Sequence, residues 1–225
     1  KAAISTTFAR NMQRYHNSER RLTMPIVATR EYRAMLGPLT QQSTTQTKRI
    51  ESSHYVEGYA TTFGKPYLLY DFNNTKIYER IEPTALDNAD LSDVIMQYDH
   101  HGKVLARTGN NTLGLITDSH GLLMYADLSK STAAKELYEE IGAGLVTKMS
   151  WAFTIADEDF DESTNTRIIK RIKKVYDVSA VSCPANPDTE IAARAFCNGV
   201  ITRSKRETLK RKIRINRLLN KLEVK

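Results

Sequence analysis

The feature that most constrains this chain is a series of short apolar runs between residues 54 and 182, each interrupted by turn-forming residues. Seven of these stretches have the alternation or the β-branched content typical of strands. They are HYVEGYATTFG (54–64), DFNNTKIYERI (71–81), LSDVIMQYDHH (91–101), KVLARTGNNTLGLI (103–116), HGLLMYADL (120–128), LVTKMSWAFTIA (145–156) and RIIKRIKKVYDVSAVS (167–182). Many strands around few helices predict an α+β domain built on an antiparallel sheet or a closed barrel.

Local signals add one helix and one turn to these strands. STAAKELYEEIGAG (131–144) is the one clear helical pattern within the body, with Ser131 as N-cap and Gly142 at its end. Its apolar face consists of Ala134, Leu137 and Ile141. Asn110 and Asn111 tolerate the positive φ of a tight turn, so KVLARTGNNTLGLI is predicted to form strand, hairpin turn and strand.

Charge divides the chain into three predicted parts. Residues 1–50 carry nine cations and two anions, residues 51–197 carry 14 cations and 22 anions, and residues 198–225 carry ten cations and two anions. The first part is predicted to be a flexible basic arm or a propeptide, and the second to be the folded body. The last part is predicted to form a basic amphipathic helix. The apolar stripe of that helix is Leu209, Ile213, Leu218 and Leu222.

Composition also argues against several classes of protein. No window approaches the roughly 18 apolar residues of a membrane span. Nucleic acid is disfavoured as a partner, because the body is acidic and the basic ends lack interleaved aromatic residues. The two cysteines, Cys183 and Cys197, have no partner at metal-ligand spacing and are predicted to be free thiols. We therefore expect no metal and no cofactor.

Strand alternation indicates which polar side chains point the same way. In VIMQYDH, His100 continues the face of Val94, Met96 and Tyr98, whereas His101 sits next to Gly102, where the strand turns. Neighbouring residues on a strand point to opposite faces, so these two histidines are not expected to chelate one metal ion. A histidine that merely caps the strand end is the simpler alternative for His100.

The same rule places a serine and an aspartate on two later strands. Leu145, Met149, Trp151, Phe153 and Ile155 form a predicted core face, and Ser150 lies opposite it, held rigidly but not buried. On the last strand Ile172, Tyr176, Val178 and Ala180 form the core face, and Asp177 lies on the other face with Val175 and Ser179. Ser150 can instead be a small space-filling residue, and Asp177 half of an ion pair with Lys173 or Lys174.

Serine, histidine and an acid form a nucleophile, a general base and an orienting group when a fold brings them together. The imidazole takes the serine proton during attack and returns it to the leaving amine. The carboxylate fixes the ring tautomer and stabilises the imidazolium. The chain has no GxSxG motif, which disfavours an α/β-hydrolase. The sequence pattern thus makes Ser150, His100 and Asp177 a candidate trio.

Five stretches in order resemble the prohead (capsid maturation) serine protease family of tailed bacteriophages. They are VEGYATTFG, VIMQYDHHGKVLART, HGLLMYADLSKSTAAKELYEEI, LVTKMSWAFTI and YDVSAVSCPANPDTEIAAR, which together span about residues 54–194. The resemblance implies a fold like that of herpesvirus assemblin, a mostly antiparallel β-barrel with peripheral helices. It also implies a serine endopeptidase that needs no cofactor.

The family pattern places its histidine on His100, its serine on Ser150 and an acidic residue on Asp177. The third position is less firmly implied, because the corresponding residue of assemblin is a histidine. Many members have Asn-His-Asp where this chain has Asp99-His100-His101, which keeps His101 open as an alternative base. Many have glycine at the position of Ala152. The oxyanion donors are expected among backbone N–H groups near Ser150 or within residues 179–182.

The resemblance further implies a biological setting. Such a protease cleaves scaffold segments of the major capsid protein, and usually itself, inside the assembling procapsid in the host cytoplasm. The implied partners are the major capsid protein with its scaffold segment and the procapsid shell, with self-association left open. A catalytically silent module that keeps the fold and binds capsid or scaffold is the alternative function.

Overall fold

The computed structural model describes residues 30–35, 38–42, 47–72, 75–182, 202, 206–212 and 214–215. Ten strands lie within these ranges: β1 (Glu31–Met35), β2 (Tyr55–Thr62), β3 (Tyr67–Phe72), β4 (Thr75–Ile81), β5 (Ile95–Tyr98), β6 (His101–Arg107), β7 (Leu113–Thr117), β8 (Gly121–Asp127), β9 (Lys148–Asp161) and β10 (Thr166–Val181). Helix α1 spans Thr132–Gly142, and residues 206–212 are also helical. The predicted α+β class is therefore confirmed.

The strands form two separate sheets. One has seven strands in the order β1-β9-β10-β4-β3, with β5 pairing with β10 and β6 pairing with β5. The other has three strands in the order β2-β8-β7. Strand β10 divides one of its edges between β4 and β5, so the large sheet branches, and neither sheet closes into a barrel within the described residues. The barrel prediction is thus corrected to two open sheets, and the likeness to assemblin stays a prediction.

The β9–β10 hairpin is the centre of the larger sheet, and its pairing is irregular. Its register shifts at four places along β10, one of them between Val175 and Asp177. Because a bulge adds a residue to one strand, the simple alternation of faces fails there. Val175 is fully buried opposite Phe153, whereas Tyr176 lies outside the core cluster. The prediction that Tyr176 lies in the core and Val175 on the other face is therefore wrong.

The hydrophobic core collects residues from both sheets and from α1. Trp151 and Phe153 are fully buried, and their rings stack with centroids 4.2 Å apart. Met149 and Ile155 are also buried, as the alternation of β9 predicts. Leu145 precedes the strand and is 73% exposed, so its predicted place in the core is wrong. The face of β9 that carries Trp151 thus packs inward, and the opposite face carries Ser150.

Helix α1 has the ends that its sequence predicts. The side chain of Ser131 accepts a hydrogen bond from the backbone N–H of Ala134 at 3.2 Å. The three apolar residues of the predicted face are buried: Ala134, Leu137 and Ile141. The last helical residue is Gly142, where a Cβ would lie 2.6 Å from Gln41 Nε2. A larger residue at this position would have to displace the side chain of Gln41.

The turn predicted at Asn110 and Asn111 exists, but it does not form a hairpin. Asn111 has φ of 59° and follows a short 3₁₀ turn, Thr108–Asn110. The strands on either side belong to different sheets, since β6 pairs with β5 and β7 pairs with β8. The local turn chemistry was correct, and the pairing partner was wrong.

Part of the predicted N-terminal arm belongs to the folded body. Strand β1 pairs with β9 in antiparallel register, with Ala34 opposite Ser150 and Tyr32 opposite Ala152. Residues 1–29 lie outside the described residues, so the propeptide interpretation stays a prediction. The predicted thiols Cys183 and Cys197 also lie outside them.

Strand β1 is anchored by a buried group of ionic side chains, here called the ionic cluster. It consists of Glu31, Arg33, Tyr67, Glu79, Glu158 and Arg167. Arg33 Nε donates to Glu79 Oε1 at 2.6 Å, and Arg167 Nη2 donates to Glu31 Oε1 at 2.8 Å. Two guanidiniums thus join β1, β4, β9 and β10 on the face of the sheet that carries Phe153.

The C-terminal segment is only partly described. Residues 206–212 are helical and solvent-exposed, and Leu209 is 58% exposed, while the predicted helix over residues 198–225 stays a prediction. The other members of the predicted stripe, Ile213, Leu218 and Leu222, lie outside the described residues. Within the described part of the chain, no helix is long and apolar enough to cross a membrane.

Candidate active site

His100 lies in a two-residue turn between β5 and β6. Tyr98 ends β5 and pairs with His101, which begins β6. The two residues between them, Asp99 and His100, have φ of 47° and 60°. Positive φ at both central residues is typical of a type I′ hairpin turn. The prediction that His100 continues a strand face is therefore wrong, although the histidine itself reaches the site.

Asp99 fixes this turn to the end of β10. Its backbone N–H donates to Ala180 O at 2.9 Å. Its carboxylate accepts hydrogen bonds from Ser182, from the backbone N–H at 2.9 Å and from the hydroxyl at 2.7 Å. Because Ser182 N–H is bound to Asp99, it is not available as the oxyanion donor that the sequence left open. The contacts of Asp99 hold the backbone of His100 in place.

His100 connects the two other candidate residues. Its Nε2 lies 2.7 Å from Ser150 Oγ on β9, and its Nδ1 lies 2.5 Å from Asp177 Oδ1 on β10. With its proton on Nδ1, the ring donates to Asp177, and Nε2 accepts from the serine hydroxyl. The structure therefore brings Ser150, His100 and Asp177 together in one hydrogen-bonded chain. His101 is exposed and lies outside that chain.

All three side chains are nearly inaccessible to solvent. Ser150 is 3% exposed, and the side chains of His100 and Asp177 are each 3% exposed. Ser150 was expected to be held rigidly without being buried, and this prediction is wrong. The whole face is covered, since Ala152 and Thr154 beside it are buried as well. A buried carboxylate needs a partner, and here the imidazole supplies it.

The alternative ion pair of Asp177 with a lysine is not found. Lys174 Nζ instead lies 2.6 Å from Asp90 Oδ2. The hydrogen bond from Lys174 Nζ, followed by those from the hydroxyl and the backbone N–H of Ser92, lowers the pKa of Asp90 below its usual range. Lys173 is exposed, and no contact between it and Asp177 is found among the described residues. Among the described residues, Asp177 therefore contacts His100 and neither lysine.

Two neighbours of the trio were missed in the sequence. Ser179 is fully buried, and its hydroxyl donates to Asp177 Oδ1 at 2.8 Å. Its position on the same predicted face as Asp177 was a usable signal. Tyr32 packs edge-on against the imidazole of His100, with ring centroids 4.7 Å apart. Nothing in the local sequence indicated Tyr32, because it lies in the segment predicted to be a flexible arm.

The arrangement has the elements of nucleophilic catalysis. A hydroxyl, an imidazole and a carboxylate lie in hydrogen-bond contact in the order that proton transfer from the hydroxyl requires. The described residues contain no group of three or more His, Cys, Asp or Glu side chains that could hold a metal ion.

Comparison with known proteins gives one match. No curated protein and no solved structure matches the chain significantly. The profile of the caudovirus prohead serine proteases matches residues 41–209, which include the whole hydrogen-bonded chain and most of both sheets. Because this match covers most of the sequence, the chain belongs to the caudovirus prohead serine protease family.

Proposed function

We propose that the chain is a serine endopeptidase of capsid maturation, with Ser150 as nucleophile, His100 as general base and Asp177 as orienting acid. Family membership supports a capsid maturation protease in general. The observation that carries the residue roles is the continuous contact from Ser150 Oγ through both ring nitrogens of His100 to Asp177 Oδ1. The exposed His101 makes no comparable contact among the described residues.

The proposed reaction proceeds through an acyl-enzyme. As Ser150 Oγ attacks the scissile carbonyl, its proton passes to His100 Nε2, and Asp177 stabilises the imidazolium through Nδ1. His100 then gives that proton to the leaving amine as the C–N bond breaks. A water molecule, deprotonated by His100, attacks the acyl-enzyme ester, and the released serine recovers its proton. Hydrolysis is balanced without any further reactant.

The oxyanion of the tetrahedral intermediate needs backbone donors near Ser150. We assign this role to N–H groups beside Ser150 or within residues 179–181, since Ser182 N–H is bound to Asp99. Many members of the family have glycine where this chain has Ala152. Ala152 lies two residues after the proposed nucleophile and is fully buried.

The substrate proposed is the scaffold segment of the major capsid protein, cleaved inside the procapsid, and the enzyme itself is a second substrate.

The basic ends are proposed to recruit the protease to the shell. Residues 206–212, the described part of the C-terminal helix, are exposed, which suits an interaction with a partner. A truncated chain ending near Asn198 should fold and cleave a short peptide but fail to enter procapsids. An unfolded or inactive product would make the tail structural.

A serine-directed phosphonate, followed by peptide mapping, tests the proposed activity. The expected result is one covalent adduct on the peptide that contains Ser150, and none on the Ser150→Ala protein. A silent capsid-binding module would take up no label and would still bind capsid protein. Labelling of a different serine would overturn the assignment of the nucleophile while keeping the enzyme class.

A further inference from the structure

Ser179 carries a buried hydroxyl that the proposed reaction does not use. It lies on β10 directly opposite Ser150 of β9, and none of its surface is exposed. Its hydroxyl makes two contacts, one with Asp177 Oδ1 at 2.8 Å and one with the backbone nitrogen of Gln97 at 3.3 Å. Ser179 thus touches both the carboxylate and β5, the strand that leads to His100.

These two contacts determine where the hydroxyl proton points. The backbone N–H of Gln97 can only donate, so Ser179 Oγ accepts from it. The hydroxyl proton is then directed to Asp177 Oδ1, the same oxygen that lies 2.5 Å from His100 Nδ1. One carboxylate oxygen therefore accepts from two donors. Hydrogen bonds to a charged acceptor are stronger than those between neutral groups.

The position of Asp177 Oδ1 matters because it sets the orientation of the imidazole. Asp177 follows a register shift in β10, so the regular ladder does not by itself define where its side chain lies. A shift of the carboxylate would rotate the ring of His100 and lengthen the contact between Nε2 and Ser150 Oγ. Small misplacements of catalytic groups are costly, because the reacting atoms must be aligned.

We propose that Ser179 is a positioning residue, which holds the carboxylate of Asp177 in line with His100 and ties it to β5. This inference rests on the proposed function. A purely structural alternative is that Ser179 only satisfies a buried N–H and contributes to folding. The alternatives differ in outcome, because a structural role affects the thermal transition and a positioning role affects kcat.

Two substitutions that are isosteric with each other separate these roles. Ser179→Thr keeps the hydroxyl, and Ser179→Val replaces it with a methyl group of nearly the same size, so the added volume cancels in the comparison. We expect the valine protein to have a kcat lower than that of the threonine protein by about 10- to 100-fold, as for loss of one hydrogen bond to a charged group. The KM for a peptide of the capsid cleavage site should stay within about twofold, since the Ser179 hydroxyl is bound to Asp177 and to Gln97 N–H and is not available to substrate.

Ser179→Ala provides the same test without added volume, in case neither larger side chain is accommodated. Its kcat should fall by a similar factor, and in an Asp177→Asn background the same substitution should have little further effect, because the two residues act as one unit. Equal kcat for the hydroxyl-bearing and hydroxyl-free proteins would overturn the proposal, as would an undiminished effect in the asparagine background. An active Ser150→Ala protein would instead overturn the proposed function itself.

Discussion

The β9–β10 hairpin buries polar side chains in two places, and these differ in the kind of charge they contain. On one face, Ser150, His100 and Asp177 form a chain with one carboxylate and no permanent cation. On the core side, the ionic cluster combines two guanidiniums with three carboxylates and a tyrosine. Guanidiniums stay protonated in proteins, so the ionic cluster contains fixed cations and the chain with Ser150 does not.

The electrostatics of the ionic cluster suit a structural role. Burial alone would raise the pKa of Glu31, but the guanidinium of Arg33 and the hydrogen bonds from Arg167 lower it to about 2. The pKa of Glu79 is lowered against the effect of burial by Arg33 in the same way, whereas burial raises the pKa of Glu158. Buried carboxylates kept ionised by fixed cations tie strands together. One hairpin thus carries the candidate catalytic chain without a fixed cation and a cohesive cluster with two fixed cations.

The largest expected effect falls on activity and leaves the fold intact. Ser150→Ala and His100→Ala should each lower kcat/KM by about 10³-fold or more, because the members of such a chain act as a unit. The thermal transition should change little for Ser150→Ala, since alanine already occupies the same buried face at Ala152. Peptide cleavage assays and thermal unfolding measure the two effects. Loss of folding together with loss of activity would contradict the prediction that the Ser150 chain serves activity and the ionic cluster serves stability.

The next largest effect is the converse, a loss of stability through the ionic cluster. Arg167→Ala leaves Glu31, Glu79 and Glu158 with one guanidinium, which should lower the free energy of unfolding by about 3–5 kcal/mol. Lys170→Ala is the matched control on the same strand, because its ion pair with Asp159 at 2.7 Å is partly exposed. That control should change stability by less than about 1 kcal/mol. Urea unfolding of both proteins gives the comparison, and equal losses would contradict it.

A smaller effect should appear as a function of pH. The pKa of Glu31 is about 2 in the folded protein against an ordinary value of 4.5, so its ionised form stabilises the fold. This contribution is complete above about pH 4.5 and is lost as the pH falls towards 2. The difference in melting temperature between wild type and Glu31→Gln should therefore shrink over that window. A difference that stays constant from pH 6 to pH 2 would show that ionisation of Glu31 is not the cause.

The smallest effect is expected at His101, the neighbour of the proposed general base. His101→Ala should keep kcat/KM within about threefold of wild type, because an exposed side chain outside the hydrogen-bonded chain contributes little. Measured near pH 8, where an imidazole base is neutral, this variant is the control for His100→Ala. An inactive His101 variant beside an active His100 variant would exchange the two roles.

Local patterns predicted the elements well and the partners poorly. Helix α1, its N-cap Ser131 and the buried face that carries Trp151 follow from periodicity and capping, which act within a few residues. The turn at Asn111 was also predicted, but β6 and β7 joined different sheets. A local turn preference says nothing about which strand offers the better partner.

The sequence by itself determined the α+β class, the strand-rich body and the residue types of the candidate site, because alternation, capping and the family motif are local properties. Only the tertiary structure decided that His100 lies in a turn with positive φ, that β10 bulges before Asp177, and that β1 joins the sheet. Bulges and turn conformations depend on the strand lying alongside. The contact between Arg167 and Glu31 joins residues 136 positions apart, and no window of sequence contains both.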